Sequence, residues 1–156
     1  MRIYSPDFVD GGEMPVRFTQ EAEDLSPGLV FEDIPEGTKS LVLISDDPDA
    51  PDPAAPKRIW LHWLVVNLPA DCQGLETGVE TLPGNALEGV NDCDVVGWSG
   101  PLPPIGRHRY YFKLFALDTT LSVKDGFRRA EVENAMAGHV LAQAQCMGTY
   151  IHSKNR

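Results

Sequence analysis

Two histidines, a tyrosine and a run of aspartates are the residues of this chain whose types and spacing could do chemistry together. His108 and Tyr110 stand two apart in Arg107-His108-Arg109-Tyr110-Tyr111-Phe112, whose alternating aromatic pattern predicts a strand. Side chains alternate along a strand, so the imidazole and the phenol share a face. The preceding Gly97-Trp98-Ser99-Gly100-Pro101-Leu102-Pro103-Pro104-Ile105-Gly106 is too rich in Gly and Pro for helix or central strand, and reads as a stiff loop presenting main-chain N–H groups such as that of Gly100. His62 lies in Trp60-Leu61-His62-Trp63, and Asp46-Asp47-Pro48-Asp49-Ala50-Pro51 is a concentrated set of carboxylates. Two charged imidazoles, a phenol and an amide can surround a phosphate, sulfate or carboxylate. Carboxylates beside them favour the imidazolium form and can accept from a ligand's P–OH or ammonium, which suits a zwitterionic or partly protonated ligand. The alternative reading is structural: a tight turn before a core strand, a solvated acidic loop, and a satisfied core histidine.

The elements that must position these groups are mostly strands. Leu29-Val30-Phe31, Ser40-Leu41-Val42-Leu43-Ile44-Ser45, Arg58 to Leu68 and Tyr110 to Leu117 are β-favouring runs bounded by turn residues. A short strand is expected near 15–19 and a fragment over Val79 to Leu82, with Tyr150-Ile151 as a final edge strand. The proline-rich acidic segment after Ser45 is expected to be loop. Parity puts Trp60, His62, Leu64 and Val66 on one face and Trp63 and Val65 on the other. One helix is expected over Arg129 to Met147, because Val132, Ala135, Met136, Val140, Ala144 and Met147 follow i, i+3, i+4, i+7 spacing and Gly148 suits a C-cap. Short strands with one late helix predict a mainly β protein, an antiparallel β-sandwich with a peripheral α-helix, as one domain over 1–156.

Bulk properties narrow the function classes. The 156 residues carry 23 acidic against 13 Lys and Arg, a formal charge of −10. Such a surface repels nucleic-acid phosphates and anionic lipid, so any bound anion must be drawn by a local site. Three scattered cysteines, Cys72, Cys93 and Cys146, suggest reduced thiols. The start lacks a secretory pattern and no stretch approaches a membrane span, so a cytoplasmic location is expected.

The chain resembles the phosphatidylethanolamine-binding proteins, in their bacterial and archaeal Raf-kinase-inhibitor-like branch. The resemblance rests on Asp46-Asp47-Pro48-Asp49-Ala50-Pro51, His62-Trp63-Leu64-Val65-Val66-Asn67, Gly97-Trp98-Ser99-Gly100-Pro101 with Pro103-Pro104, Gly106 and His108-Arg109-Tyr110, with further matches through Ala137-Gly138-His139-Val140-Leu141-Ala142. It implies a β-sandwich with a small cavity for phosphate-like anions, formed by Asp47, Asp49, His62, Gly100, Pro101, His108 and Tyr110 with Trp60 as wall. It also implies a non-proline cis peptide near Arg58-Ile59, and a homodimer. Leu102 stands where bacterial relatives often have cysteine, and Trp98-Ser99 alters the usual spacing; both change the pocket rim.

The reading favoured is a non-catalytic protein binding a small anionic or phosphorylated ligand, with no cofactor and no metal. A hydrolase or transferase using Asp–His acid–base groups is the alternative, but Gly97-Trp98-Ser99-Gly100 is not a G-x-S-x-G elbow and no nucleophile stands out. A metal site from His62, His108, Asp47 and Asp49 would lack short ligand spacing. Inhibition of a kinase or protease rests on family analogy alone.

Overall fold

The computed structural model describes residues 1–156. Eight strands form two antiparallel sheets: β1 (Arg2–Tyr4), β2 (Leu29–Glu32) and β5 (Gly74–Leu75) in one, and β6 (Leu87–Glu88), β4 (Arg58–Pro69), β3 (Ser40–Ala50), β7 (Arg107–Leu117) and β8 (Val140–Ile151), in that order, in the other. The larger sheet is covered on both faces. One face packs against the small sheet and the N-terminal loops through Leu41, Leu43, Trp63, Val65, Phe112 and Leu114. The other packs Val42, Ile44, Leu64 and Val66 against Phe127 and the single helix α1 (Arg129–Met136). Burial on both sides is why β3 and β4 read as continuous apolar runs, although antiparallel strands more often alternate.

Seven expectations change. The register shift between Ser45 and Asp46 inserts one residue in β4, so Trp60 and His62 share the face of Trp63 and Val65 and not that of Leu64 and Val66. The long helix ends at Met136, and Gly138, with φ of 81°, turns the chain into β8. The stretch from Val140 satisfies two periods at once. Ala144 and Met147 fit a helical stripe, but Ala142, Ala144, Cys146, Gly148 and Tyr150 also alternate with Gln143, Gln145, Met147 and Thr149, mostly polar, and pairing with β7 from Arg107↔Ile151 to Leu117↔Val140 decides for strand. Tyr150 and Ile151 are therefore the end of β8 rather than a separate strand. The acidic segment is not simply loop: β3 continues to Ala50, with register shifts between Ser45 and Asp46 and between Asp47 and Ala50, the second of which accommodates Pro48, which has no N–H to pair. The expected strand near 15–19 is a 3-10 turn over Val16–Phe18, and Val79 to Leu82 forms no strand. The cis peptide is Ala50–Pro51, and Arg58–Ile59 is trans.

Asp46 and Asp47 are neighbours on a strand and serve opposite faces. Asp46, fully buried, takes Lys113 Nζ at 3.0 Å and Arg129 at 2.8 Å, which fastens the first turn of α1 to the sheet. Arg129→Ala removes one cation from a carboxylate that cannot reach water. A loss of about 1–3 kcal/mol is expected, below the range for breaking a buried pair because Lys113 remains. Urea denaturation measures it, and an unchanged midpoint would show that Lys113 alone suffices.

Candidate functional site

β3, β4 and β7 lie side by side, so Asp47, Trp60 with His62, and His108 with Tyr110 come from three adjacent strands. Trp60 is the register partner of Asp47. Tyr110 sits between the two imidazoles, edge-on to His62 with ring centroids 5.2 Å apart and stacked with His108 at 6.4 Å. Above them opens a cavity of about 480 Å³. Of the residues expected at the site, Asp47, Trp60, His62, Gly100, His108 and Tyr110 line it, whereas Asp49 and Pro101 do not. Asp49 is turned to Arg109, accepting from its Nε at 3.0 Å, its guanidinium at 2.8 Å and its main-chain N–H at 2.9 Å. That guanidinium holds the Asp49 carboxyl below the usual carboxylate range, against the opposing effect of burial. Asp49 is a strand-end clamp, replacing the ladder bond that β3 no longer makes to β7.

The four expected donors differ in what they leave free. His108 is committed to the protein at both nitrogens: Nδ1–H donates to Asp47 at 2.6 Å, and Nε2–H faces the carbonyls of Ile105 at 2.9 Å and Pro51 at 3.1 Å. Either neutral tautomer would set a ring lone pair against an acceptor oxygen, so the ring is held as imidazolium. Burial works against that charge, but Asp47, with help from the Ile105 carbonyl and Asp49, outweighs it and raises the pKa. The Gly100 N–H donates to Asp24 Oδ1 at 2.8 Å instead of opening on the cavity. Its carbonyl accepts from Gln20 Nε2 at 2.9 Å. Gly100 thus shapes the wall: a Cβ there would run into the Phe18 carbonyl and the Asp24 carboxylate.

His62 is the reverse of His108. Its Nδ1–H donates to the Ser99 carbonyl at 2.5 Å, while Ser99 N–H returns to the His62 carbonyl at 3.1 Å. Burial, only partly countered by that carbonyl and the nearby aspartates, lowers the pKa, so the ring is neutral. Its Nε2 has no protein partner and is not sealed from solvent, which leaves a lone pair facing the cavity. Tyr110 O–H is equally unpartnered and unsealed, and burial, then Asp47 and Asp49, push its pKa up, so it keeps its proton. The two imidazoles expected to be alike are a neutral acceptor at the floor and a cation locked into the wall.

Several lining residues were not among those expected from the sequence. Lys57 and Arg58 bring positive charge to the mouth, with the Arg58 guanidinium 4.4 Å from the centroid of Trp60. Strand alternation could have placed Arg58 beside Trp60 and His62. Gln20 and Cys93 reach the cavity from distant loops, and Asp24 holds the wall from a residue with φ of 57°. Only the tertiary fold brings these together. No group of three or more His, Cys, Asp and Glu side chains converges at metal-ligand spacing.

Comparison with known proteins fits this architecture. The family model described as Phosphatidylethanolamine-binding protein matches residues 4–151. A UPF0098 protein of Methanothermobacter thermautotrophicus is 42% identical over 153 residues, covering 96% of this chain and 98% of that protein. A UPF0098 protein of Chlamydia trachomatis is 38% identical, with coverage of 96% and 98%. Among solved structures, a phosphatidylethanolamine-binding protein homologue from Chlamydia trachomatis superposes with a TM-score of 0.89 at 37% identity, over 97% of each chain. Escherichia coli YbcL superposes with a TM-score of 0.85 at 31% identity, over 96% of each chain. With sequence and fold in agreement along nearly its whole length, the chain belongs to the phosphatidylethanolamine-binding protein family.

Proposed function

We propose that this protein binds, without turning over, a small molecule carrying a phosphate-like or carboxylate group in a partly protonated or zwitterionic form. The observation that carries the reading is the adjacent pair of free polar groups at the cavity floor, the Nε2 lone pair of His62 and the Tyr110 hydroxyl. A fully deprotonated anion would meet that lone pair with one of its own. A ligand bearing a P–OH or an ammonium can donate to His62 and accept from Tyr110 at the same time. Lys57 and Arg58 at the mouth supply attraction that the chain's overall charge of −10 does not. Trp60, Leu102 and Pro104 give apolar surface for the rest of the molecule. Phosphoethanolamine, whose class the family name suggests, combines both required features.

The test is isothermal titration calorimetry with O-phosphoethanolamine and inorganic phosphate, in two buffers of different ionisation enthalpy at pH 7.5. Phosphate monoesters have a second pKa of about 6, so binding in the monoanionic form takes up protons from the buffer. Affinity is expected to fall about tenfold or more in His62→Ala, the loss of one hydrogen bond in a desolvated site. Absence of binding to either probe, or affinity indifferent to both His62→Ala and Tyr110→Phe, overturns the reading. The same free Nε2 is what a general base needs. Turnover of a phosphate ester, abolished in His62→Ala, would therefore replace binding with catalysis.

A further inference from the structure

The three cysteines differ in what can reach them. Cys72 is 8% exposed and Cys146 4%, and burial pushes both thiols up, Cys146 to about 12. Cys93 is exposed and lines the same cavity as His62 and Tyr110. The turn that bears it is fastened to the cavity wall. Asp92 N–H donates to the Leu61 carbonyl at 3.0 Å and Leu61 N–H to Asp92 Oδ2 at 2.7 Å, which ties the residue before Cys93 to β4 next to His62. Asn91, fully buried, accepts from the Cys93 N–H at 2.9 Å and donates to the Ser99 hydroxyl at 2.9 Å. Gln20 Nε2, which holds the Gly100 carbonyl, lies 4.0 Å from the sulfur.

What the thiol would meet is written in the rest of the cavity. His62 and Tyr110, 5% and 1% exposed, keep an unpartnered Nε2 and an unpartnered hydroxyl. An α-ammonium can donate to the first while an α-carboxylate accepts from the second. At the rim the carboxylates flanking the sulfur are already paired, Asp92 with Arg58 at 3.3 Å and Asp94 with Arg128 at 3.0 Å, and Lys57 is left as a cation without a carboxylate partner. A volume of about 480 Å³ has room for more than a head group.

We propose that Cys93 covalently captures a disulfide whose halves are zwitterionic amino acids or short peptides, seated by its ammonium and carboxylate on His62 and Tyr110. Capture depends on those two residues being the head-group site proposed above. The Cys93 thiolate attacks one sulfur of the bound disulfide. The new S–S bond forms as the ligand's own S–S bond breaks, and the departing half leaves as a thiolate that takes up the proton Cys93 gave up. The protein thiol is thereby oxidised to a mixed disulfide and the departing half reduced to a thiol, so no further oxidant is needed. A second thiol reverses the step. The retained half occupies the cavity, so the state of Cys93 sets whether the head-group site is open.

The test is incubation of the reduced full chain with glutathione disulfide, followed by intact mass spectrometry and peptide mapping. One glutathionyl group per chain is expected, on Cys93 and on neither Cys72 nor Cys146, and dithiothreitol removes it. The neutral 2-hydroxyethyl disulfide offers no ammonium or carboxylate. It is expected to react about tenfold or more slowly, each rate being taken relative to that reagent's rate with N-acetylcysteine. His62→Ala is expected to erase the preference by slowing glutathione disulfide alone. Should His62→Ala misfold, the exposed Lys57→Glu decides, slowing glutathione disulfide about threefold or more and leaving the neutral reagent unchanged. No adduct at Cys93, or equal relative rates with both disulfides, overturns the proposal, as does a preference that survives both substitutions. Calorimetry of the reduced chain with O-phosphoethanolamine, which has no sulfur, reads the head-group site separately: binding there without selective capture removes the covalent step alone.

Discussion

His108→Ala is expected to cost about 3–5 kcal/mol of folding stability, the range for removing one partner from a buried ion pair. The Asp47 carboxylate, 3% exposed as a residue, would be left with the Asp49 N–H at 2.7 Å and no counter-charge. The Ile105 and Pro51 carbonyls would lose their common donor, and with it the link between the two loops that wall the cavity. Asp47→Asn combined with His108→Ala is expected to recover part of the loss, because it removes the stranded charge. Equilibrium urea unfolding of wild type and the three variants closes the cycle. Additive losses would mean that the pair is not coupled.

The same pair gives a pH dependence whose sign follows from linkage. The folded pKa of His108 lies above the unfolded value near 6.5. Between those two values the native state binds more protons than the unfolded state, so stability falls as pH rises. The contribution is fully present below the unfolded pKa and lost once pH passes the folded one. A thermal midpoint lower at pH 9 than at pH 7, with the difference absent in His108→Ala, is the expected result. A difference that persists in the variant would assign the effect to another group.

Gly100→Ala is the second change with a large expected effect. A Cβ at this position meets the main-chain oxygen of Phe18, which is anchored in a 3-10 turn, and the Asp24 carboxylate that accepts the Gly100 N–H. Neither can withdraw without breaking a hydrogen bond, so a loss of about 2–4 kcal/mol is expected, the upper end for overpacking. The displaced wall would also carry Ser99, whose carbonyl fixes the His62 tautomer. Ligand affinity should therefore drop with stability. Thermal denaturation and calorimetry on the same sample separate the two effects, and a variant with wild-type midpoint would show that the loop moves freely away from Phe18.

Both predictions depend on partners that no spacing in the sequence reveals. His108 and Tyr110 could be placed on one face because strand parity is local, and the same holds for Trp60 and His62. What each ring does could not. His62 and His108 are the same residue type in comparable aromatic strands, and their protonation states diverge because one faces a carbonyl from the Ser99 loop and the other a carboxylate from β3. The Gly100 amide looked free because Asp24 lies 76 residues away along the chain. Asp49 looked like a pocket carboxylate because its fork with Arg109 forms across two strands.

The fold divides along the same line. Ser40 to Ser45, Arg58 to Leu68 and Tyr110 to Leu117 were legible as strands, since their β-branched and aromatic runs carry the signal within a few residues. The segment from Val140 was not, because its alanines and glutamines fit both periods and intrinsically favour helix, so eleven partners on β7 override them. By itself the sequence determined the mainly β class, the strands that bear the candidate residues and the family to which they belong. The tertiary structure alone decided which nitrogens, hydroxyls and amides are already satisfied and which still face a cavity. Hydrogen-bond partners across a sandwich are set by through-space contact, and the chain order of the groups does not encode it.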